Sequence, residues 1–495
     1  MAPVLSIFLG LLASSASLVA ASPSNRPGSQ ARYPFATLYD QSFSDVIGYS
    51  LLKHTGASGP YSNRESYGIG RDPPDACAVD QVIMLRRHGE RFPDSSTSAN
   101  FVAVLDKFYA SKPSQWTNEL EFLNTWKYMV PDDNYLALES YNGPYAGLLT
   151  SYKHGAEYGV RYGHLWNSTL QNQTIPMFSS GYERIVQTAR KFGEGFFGWN
   201  YTDVVAMNII PEFSYLGGNS LTPTCLNDTS LSICESLTPY QPQFNVAAKR
   251  LNALVPGLNL TAPDVYYLMQ MAAFEVSIRG YSDWVEVFNY DEWVAFGYMQ
   301  DLGYYYCVGP GNKNMRAVGS VFVNATLTAL NQGPETAGPM LWNFCHDTNI
   351  APVLAALGIP KVDADLPLDS IPFPNPYNSA NIVPMGGHIT IERLSCNATA
   401  ISTADTYVRL ILNEAVVPFP GCQNGPGFSC GLANFTQQVF SNLPDFIETC
   451  NYNESYPQYL SFWWDYNTTK SYDYETQSPI PGQETLVTYQ GTNAQ

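Results

Sequence analysis

Residues 81–93 read QVIMLRRHGERFP, a short apolar run that turns directly into a charged loop. The run from Val82 to Leu85 has the length and composition of a buried strand. Pro93 fixes the turn out of the loop, because its ring locks the backbone. The stretch therefore predicts a core strand that ends in a cluster of polar side chains.

A second stretch repeats this pattern. Residues 340–344 form another apolar run, which stops at His346 and Asp347 and is followed by helical spacing from Ile350 to Leu357. Polar groups just after the carboxyl ends of buried strands mark a site in an α/β sheet. We therefore expect an α/β fold in which both loops meet at one edge of the sheet.

The other elements are predicted to surround this sheet. A helix is expected from about Glu183 to Phe196, with Arg184 in its first turn, and residues 387–394 and 407–412 alternate like paired strands. The aromatic-rich segments at about 101–165 and 201–312 are predicted to be helical insertions that pack over an α/β core of about 33–100, 170–200 and 313–475. The tail, 476–495, is expected to be flexible.

The loop after the first strand has the composition of a phosphate site. Guanidinium groups such as those of Arg87 and Arg91 make bidentate, permanently charged contacts with tetrahedral phosphate. His88 lies between them and can be a nucleophile when neutral, and neighbouring positive charges disfavour its charged form. Gly89 lets the backbone and a ligand approach closely.

The string RHGxRxP after a strand matches the N-terminal motif of the histidine acid phosphatase family, within the phosphoglycerate-mutase-like superfamily. The pair His346-Asp347 resembles the second motif of that family, and stretches such as residues 181–184 and 383–386 extend the resemblance over about residues 37–469. It is closest to the secreted fungal and yeast acid phosphatases of broad specificity. The resemblance implies a phosphoglycerate-mutase-like sheet flanked by helices, with a smaller, mostly helical domain formed by insertions.

The resemblance also implies a role for each site residue. His88 is the nucleophile that forms a phosphohistidine, and Asp347 protonates the leaving alcohol oxygen. The phosphate oxygens are held by the remaining members of the set, Arg87, Arg91, Arg184 and His346. No cofactor and no metal is implied, because the arginines take the part that Mg²⁺ plays in other phosphoryl-transfer enzymes. An aspartic proton donor and the substrate's second ionisation near pH 6 predict an acidic optimum.

Two further positions carry open interpretations. Glu275 resembles an acidic residue that narrows the substrate pocket of some family members, or it is a carboxylate on a helix surface. His388 stands where the fungal relatives usually have an arginine, so the contact made by that arginine is not carried over.

Several features predict export. Residues 1–21 have the apolar run and small-residue end of a signal peptide. Ten Asn-x-Ser/Thr sequons follow, at Asn167, Asn172, Asn200, Asn227, Asn259, Asn324, Asn397, Asn434, Asn453 and Asn467. We expect a secreted glycoprotein, either free outside the cell or retained in the cell wall.

The nine cysteines show no CxxC spacing, so disulfides are expected and a zinc site is not. Spacing alone favours a local bridge between Cys422 and Cys430. The resemblance adds Cys77 with Cys396 and Cys225 with Cys450. It leaves three cysteines unassigned, Cys234, Cys307 and Cys345, and the odd count requires at least one free thiol.

The formal charge of −18 disfavours nucleic acid and anionic membranes as partners. The expected partners are small phosphate monoesters, with phytate as an alternative, and the sequence leaves a homo-oligomer open. The leading hypothesis is a broad-specificity acid phosphatase. The alternatives are a phytase, a mutase-like transferase, which the export signals disfavour, and a non-catalytic surface glycoprotein.

Overall fold

The computed structural model describes residues 50–111, 113–169, 174–226, 234, 237 and 242–467, and the dipeptides 472–473, 478–479 and 488–489. The predicted signal segment, 1–21, lies outside the described residues, as do the sequon asparagines Asn172 and Asn227.

A mixed β-sheet forms the centre of the molecule. Its main strands are β1 (Cys77–Arg87), β2 (Ile175–Ser180), β3 (Val205–Ile210), β4 (Met340–Cys345), β5 (His388–Cys396), β6 (Asp405–Leu412), β7 (Ala415–Val416) and β8 (Cys430–Gly431). The order across the sheet is β3-β2-β4-β1-β5-β6-β7, with β8 beside β6. Strands β1 to β4 run parallel to one another, whereas β5 is antiparallel to its neighbours β1 and β6.

Helices cover both faces of the sheet. The longer ones are α1 (Ser95–Ala110), α2 (Gly147–Thr169), α3 (Glu183–Phe197), α4 (Pro242–Leu254), α5 (Ala262–Arg279), α6 (Tyr290–Cys307), α7 (Met315–Gln332) and α9 (Asp347–Ala356), and between the last two lies the short α8 (Pro334–Ala337). Four short helices follow in the chain: α10 (Ser379–Ile382), α11 (Leu432–Phe440), α12 (Phe446–Thr449) and α13 (Phe462–Asp465).

The two faces of β1 explain why its central stretch, Val82 to Leu85, is wholly apolar. Ile83 and Leu85 join a large core with helices α4 to α7, while Val82 and Met84 join a second core with α2 and α3. Side chains alternate between the faces of a strand, and a parallel sheet covered on both sides buries both. The predicted strand at this position is confirmed, and so is the α/β fold class.

Two strands of the parallel part of the sheet were not predicted. Both β2 and β3 are buried at every residue and therefore show no alternation in sequence. The segment 201–312, expected to be helical, thus begins with a strand of the central sheet, and only its later part, α4 to α6, is helical.

Two dipeptides of the tail, 476–495, pair with other strands. Strand β11 (Ser478–Pro479) pairs with β10 (Tyr472–Asp473), which extends the sheet beside β3, and β12 (Thr488–Tyr489) pairs with β9 (Tyr466–Asn467). Edge strands present unpaired backbone groups that a polar segment can satisfy without a hydrophobic pattern. Among the described residues, no helix has the length and apolar character that a membrane crossing requires.

Candidate active site

The two motifs meet because their strands are parallel neighbours. Arg87 at the end of β1 stands opposite Cys345 at the end of β4. The backbone N–H of His88 donates to the carbonyl oxygen of Cys345 at 3.2 Å. The carboxyl ends of both strands therefore deliver His88 and the pair His346-Asp347 to one edge of the sheet, as the sequence predicted.

His88 is held in the form of a nucleophile. Its Nδ1 lies 2.8 Å from the carbonyl oxygen of Gly89, which can only accept, so Nδ1 carries the proton and the lone pair is on Nε2. Burial, and then the charges of Arg87, Arg91 and Arg184, lower the pKa of His88 well below its ordinary value. The imidazole therefore stays neutral to a lower pH than an ordinary histidine does.

Arg87 is the most firmly fixed of the three arginines. Its Nη1 donates to the carbonyl oxygens of Ala57 at 2.8 Å and Val383 at 2.5 Å. Its Nη2 forms an ion pair of 2.7 Å with Asp347 Oδ2. Backbone contacts thus fix the orientation of the Arg87 guanidinium, and the ion pair holds Asp347 next to it.

Arg91 and Arg184 reach the site from different elements. Arg91 donates to the carbonyl oxygen of Phe92 at 2.9 Å and lies 5.5 Å from the ring centre of Phe274. Burial, with the nearby charges of Arg184 and Arg87, lowers the pKa of Arg91 to about 10. Arg184, in the first turn of α3, lies over the ring of Tyr182 at 4.7 Å.

His346 is the N-cap residue of α9, and both nitrogens of its ring are hydrogen-bonded. Its Nδ1 lies 3.2 Å from Arg184 Nη2, a group that can only donate, so Nε2 carries the proton. Nε2 donates to Glu212 at 2.9 Å. The ring N–H of His346, which the sequence predicts to donate to phosphate, therefore donates to Glu212 in this structure. A phosphate at the site would compete with the Glu212 carboxylate for this N–H.

Asp347 is tied to the arginine cluster and to helix α6. Its Oδ2 accepts from the Tyr304 hydroxyl at 2.7 Å in addition to the Arg87 ion pair. Burial alone would raise the pKa of Asp347, but Arg87 and the hydrogen bond from Tyr304 outweigh it, and the pKa is lowered. Without substrate the carboxyl is ionised over most of the pH range.

A cavity of about 300 Å³ opens beside Asp347 on the side of α5 and α6. Its floor holds Arg87, Arg91 and Asp347. The walls are neutral and partly aromatic, formed among others by Ala57, Ser58, Thr97, Tyr266, Gln270, Phe274, Met299, Gln300, Tyr304, Val308 and Thr348.

Glu275 is not among the described residues that line the cavity. Its side chain is only 1% exposed and accepts hydrogen bonds from Trp126 at 2.9 Å, from Ser282 at 2.6 Å and from Arg279. Neither expectation for Glu275 fits this position, because the Glu275 carboxylate is buried and its hydrogen bonds connect α5 to the neighbouring segments. The sequence pattern could not distinguish it from the adjacent wall residue Phe274.

His388 begins β5 and is fully buried behind the phosphate site. Its Nε2 lies 3.0 Å from Glu414 Oε1, and its Nδ1 lies 3.2 Å from Arg86 Nη1. The residue that replaces the usual arginine thus contacts Arg86, the neighbour of Arg87 on β1.

The structure contains the three predicted disulfides, Cys77–Cys396, Cys225–Cys450 and Cys422–Cys430, and adds a fourth, Cys234–Cys307. Cys345 is a buried free thiol. The odd cysteine expected from the count is therefore Cys345, the residue before His346.

Comparisons with known proteins agree with this geometry. The sequence matches the Histidine phosphatase superfamily (branch 2) over residues 78–413. The chain belongs to this family. A phytase of Candida albicans is 38% identical over 433 residues, covering 86% of this chain and 92% of the relative. An acid phosphatase of Komagataella pastoris is 36% identical, covering 84% and 90%. The crystal structure of the phytase from D. castellii superposes with a TM-score of 0.79 at 34% identity, covering 85% and 91%.

Sequence reasoning missed three polar partners of the site: Glu212, Tyr304 and Glu139. Glu212 and Glu139 belong to segments without a motif and reach the site only through the tertiary fold. Tyr304 lies in a stretch that resembles the family, residues 301–305, but the sequence assigned it no role. Glu212 had one signal, since it follows two residues after β3, a strand that was itself not predicted.

Proposed function

We propose that this protein is a secreted acid phosphatase that hydrolyses phosphate monoesters through a phosphohistidine on His88. The observation that carries the proposal is the neutral His88, with its lone pair on Nε2, under the charges of three arginines. The family shown by the comparisons supports it, and so do the names of the relatives, which are acid phosphatases and phytases.

The first half-reaction transfers the phosphoryl group to the enzyme. Arg87, Arg91 and Arg184 neutralise the phosphate oxygens, and His88 Nε2 attacks phosphorus. The new P–N bond forms as the P–O bond to the leaving group breaks. The electrons of that bond go to the leaving oxygen, which takes the proton of Asp347.

The second half-reaction restores the enzyme. Water attacks the phosphohistidine and gives a proton to the Asp347 carboxylate. The P–N bond breaks, its electrons return to Nε2, and inorganic phosphate leaves. Asp347 is then protonated, ready for another turnover.

The electrostatics favour an acidic optimum. In the free site Arg87 keeps Asp347 ionised. A bound phosphate attracts the same guanidinium, which weakens this effect and lets Asp347 take up a proton. Low pH supplies that proton, while the lowered pKa of His88 keeps the nucleophile neutral.

The cavity favours small monoesters over phytate. Arg87 and Arg91 are the only basic side chains among the described residues that line it. When one phosphate of inositol hexakisphosphate occupies the site, the other five would face neutral walls in a protein of charge −18. The phytase relatives keep phytase as the second candidate function.

The test is phosphate release from an aryl phosphate and from phytate between about pH 2 and 8, with wild-type protein and a His88→Ala variant. We expect acid-range activity that vanishes in the variant, with the higher kcat/KM on the aryl ester. Gln270→Lys should raise the phytate rate relative to the aryl rate, whereas a neutral Gln270→Met control should not. A folded wild-type protein that is inactive on both substrates would refute the proposal.

Export is part of the proposal. Among the described sequons, Asn200, Asn259, Asn397, Asn434 and Asn453 are exposed, and Asn324 on α7 is half-buried. We propose cleavage after residue 21, glycans on the exposed asparagines and a single catalytic region over residues 22–475. N-terminal sequencing of the secreted protein and its mass before and after deglycosylation test this directly.

A further inference from the structure

Glu139 is a buried carboxyl beside the His88 loop but outside the phosphate site. The residue is 0% exposed, and its Oε1 accepts from the backbone N–H of Gly89 at 3.0 Å and from the Thr188 hydroxyl. Burial raises the pKa of Glu139 to about 8. Burying a carboxyl is costly unless it is well hydrogen-bonded, so its presence here calls for a physical reason.

Two glycines make room for this side chain. A β-carbon on Gly89 would lie 2.7 Å from Glu139 Oε2, and one on Gly147 would clash with the same oxygen. Gly89 was expected to let a ligand approach the backbone. The group that occupies this space is instead the Glu139 carboxyl.

The backbone around Glu139 is also attached to the loop. The N–H of Phe92 donates to the carbonyl oxygen of Leu138 at 3.0 Å, and the N–H of Ser140 donates to that of Glu90 at 2.9 Å. Residues 138–140 thus run antiparallel to residues 90–92. The carboxyl is presented to Gly89 from a fixed position.

These contacts lead to two residues of the site. The carbonyl oxygen of Gly89 accepts from His88 Nδ1. The backbone N–H of Gly89 donates both to Glu139 Oε1 and to Thr188 Oγ1, at 2.9 Å from the latter. The Thr188 hydroxyl lies 3.0 Å from the carbonyl oxygen of Arg184, one turn earlier in α3. Glu139 therefore lies where Gly89, the residue whose carbonyl oxygen orients His88, meets the helix that carries Arg184.

We propose that Glu139 is a positioning residue: it fixes Gly89, whose carbonyl oxygen holds His88 Nδ1, so that His88 Nε2 points at phosphorus, and it keeps the first turn of α3 in register with the loop. The inference rests on the proposed phosphatase function. It concerns the rate of phosphoryl transfer, because Glu139 does not contact the phosphate.

The test compares Glu139→Ala with Glu139→Gln, which keeps an oxygen acceptor for Gly89 and Thr188. A matched control is Glu292→Ala, since Glu292 is also buried but is paired with Arg250 on α4. The readouts are kcat and KM on an aryl phosphate, the inhibition constant of inorganic phosphate, and the rate of enzyme phosphorylation. Each is corrected for the folded fraction.

We expect Glu139→Ala to lower kcat and the phosphorylation rate about 100-fold, because a small misplacement of a catalytic group has an effect of this size. KM and phosphate inhibition should change only a few-fold. Glu139→Gln should recover kcat to within about ten-fold of wild type, and Glu292→Ala should keep wild-type kcat.

Equal kcat in Glu139→Ala and wild type would overturn the inference, as would an equal loss in Glu292→Ala. If Glu139→Ala does not fold, the same readouts on Thr188→Val and Thr188→Ser decide, with the loss expected in the valine variant and recovery in the serine variant. An inactive wild-type enzyme would instead refute the proposed function, so the two failures are distinguishable.

Discussion

At the scale of single residues, the proposed mechanism gives nucleophilic attack to His88 and proton transfer to Asp347. His88 is kept neutral by burial and by positive neighbours, and Asp347 is kept ionised by Arg87 until a substrate arrives. Like charges near one group and opposite charges near the other separate their roles, although both lie at the same sheet edge. Tyr304 adds to this separation through its bond to Asp347.

Tyr304→Phe should move the alkaline limb of the kcat/KM profile upward by about one pH unit. The variant removes a hydrogen bond to a charged carboxylate, of about 1.5–3 kcal/mol, and one pKa unit corresponds to about 1.4 kcal/mol. Asp347 then holds its proton to higher pH. Tyr305→Phe, which loses a bond to Asp365 instead, is the control and should leave the limb in place. An unshifted limb in Tyr304→Phe would show that Asp347 is not the acid.

The motif residues could be predicted because each of two short loops, one after β1 and one after β4, carries them at closely spaced positions. The sequence predicted His88, Arg87, Arg91 and the pair His346-Asp347, and the structure brings them together at one sheet edge. Glu212 and Glu139 could not be predicted, because each acts through a contact that only the packing of distant segments creates. Glu275 shows the reverse error, since its neighbour Phe274 lines the cavity and Glu275 does not.

At the scale of elements, the parallel strands β1 and β4 bring the two motifs to one edge of the sheet, and α6 places Tyr304 beside Asp347. Helix α6 carries Tyr304 toward Asp347 and ends at Cys307, which is bridged to Cys234 across 73 positions. Helix α3 was predicted from its helical period, and β5 and β6 were predicted from the partial alternation of their sequences. Strands β2 and β3 were missed because burial of both faces removes the alternation.

The cysteine pairing can be checked with a thiol reagent and no reductant. We expect no labelled cysteine in the native protein, because Cys345 is buried, and labelling of Cys345 alone after unfolding. Peptide mapping should recover Cys234 linked to Cys307. Label on either of these two cysteines would contradict the fourth bridge.

At the scale of the whole molecule, two buried carboxyls make the folded state more stable at acid pH than at neutral pH. Burial raises the pKa of Glu139 to about 8 and that of Asp301 to about 7. Because the folded state holds these protons more tightly than the unfolded chain, their contribution to stability is lost as pH rises from about 4 to about 8. Burial also lowers the pKa of His54 to about 4, so this group opposes folding as pH falls below about 6.5.

We therefore expect the melting temperature to fall between about pH 6.5 and 8, where only the carboxyls among these groups titrate. The measurement is calorimetry across this range. Asp301→Asn should flatten the slope, because it removes one of the protons that the folded state retains. A melting temperature that rises toward pH 8 would contradict the assignment of these carboxyls.

The account depends most on the covalent intermediate at His88. The direct measurement is to mix enzyme with an aryl phosphate at acid pH, stop the reaction with alkaline denaturant, which preserves the P–N bond, and locate the phosphoryl group by peptide mass spectrometry. We predict one phosphoryl group on His88 in the wild-type enzyme and none in His88→Ala. Full turnover with no phosphohistidine, or a phosphoryl group on another residue, would contradict the mechanism.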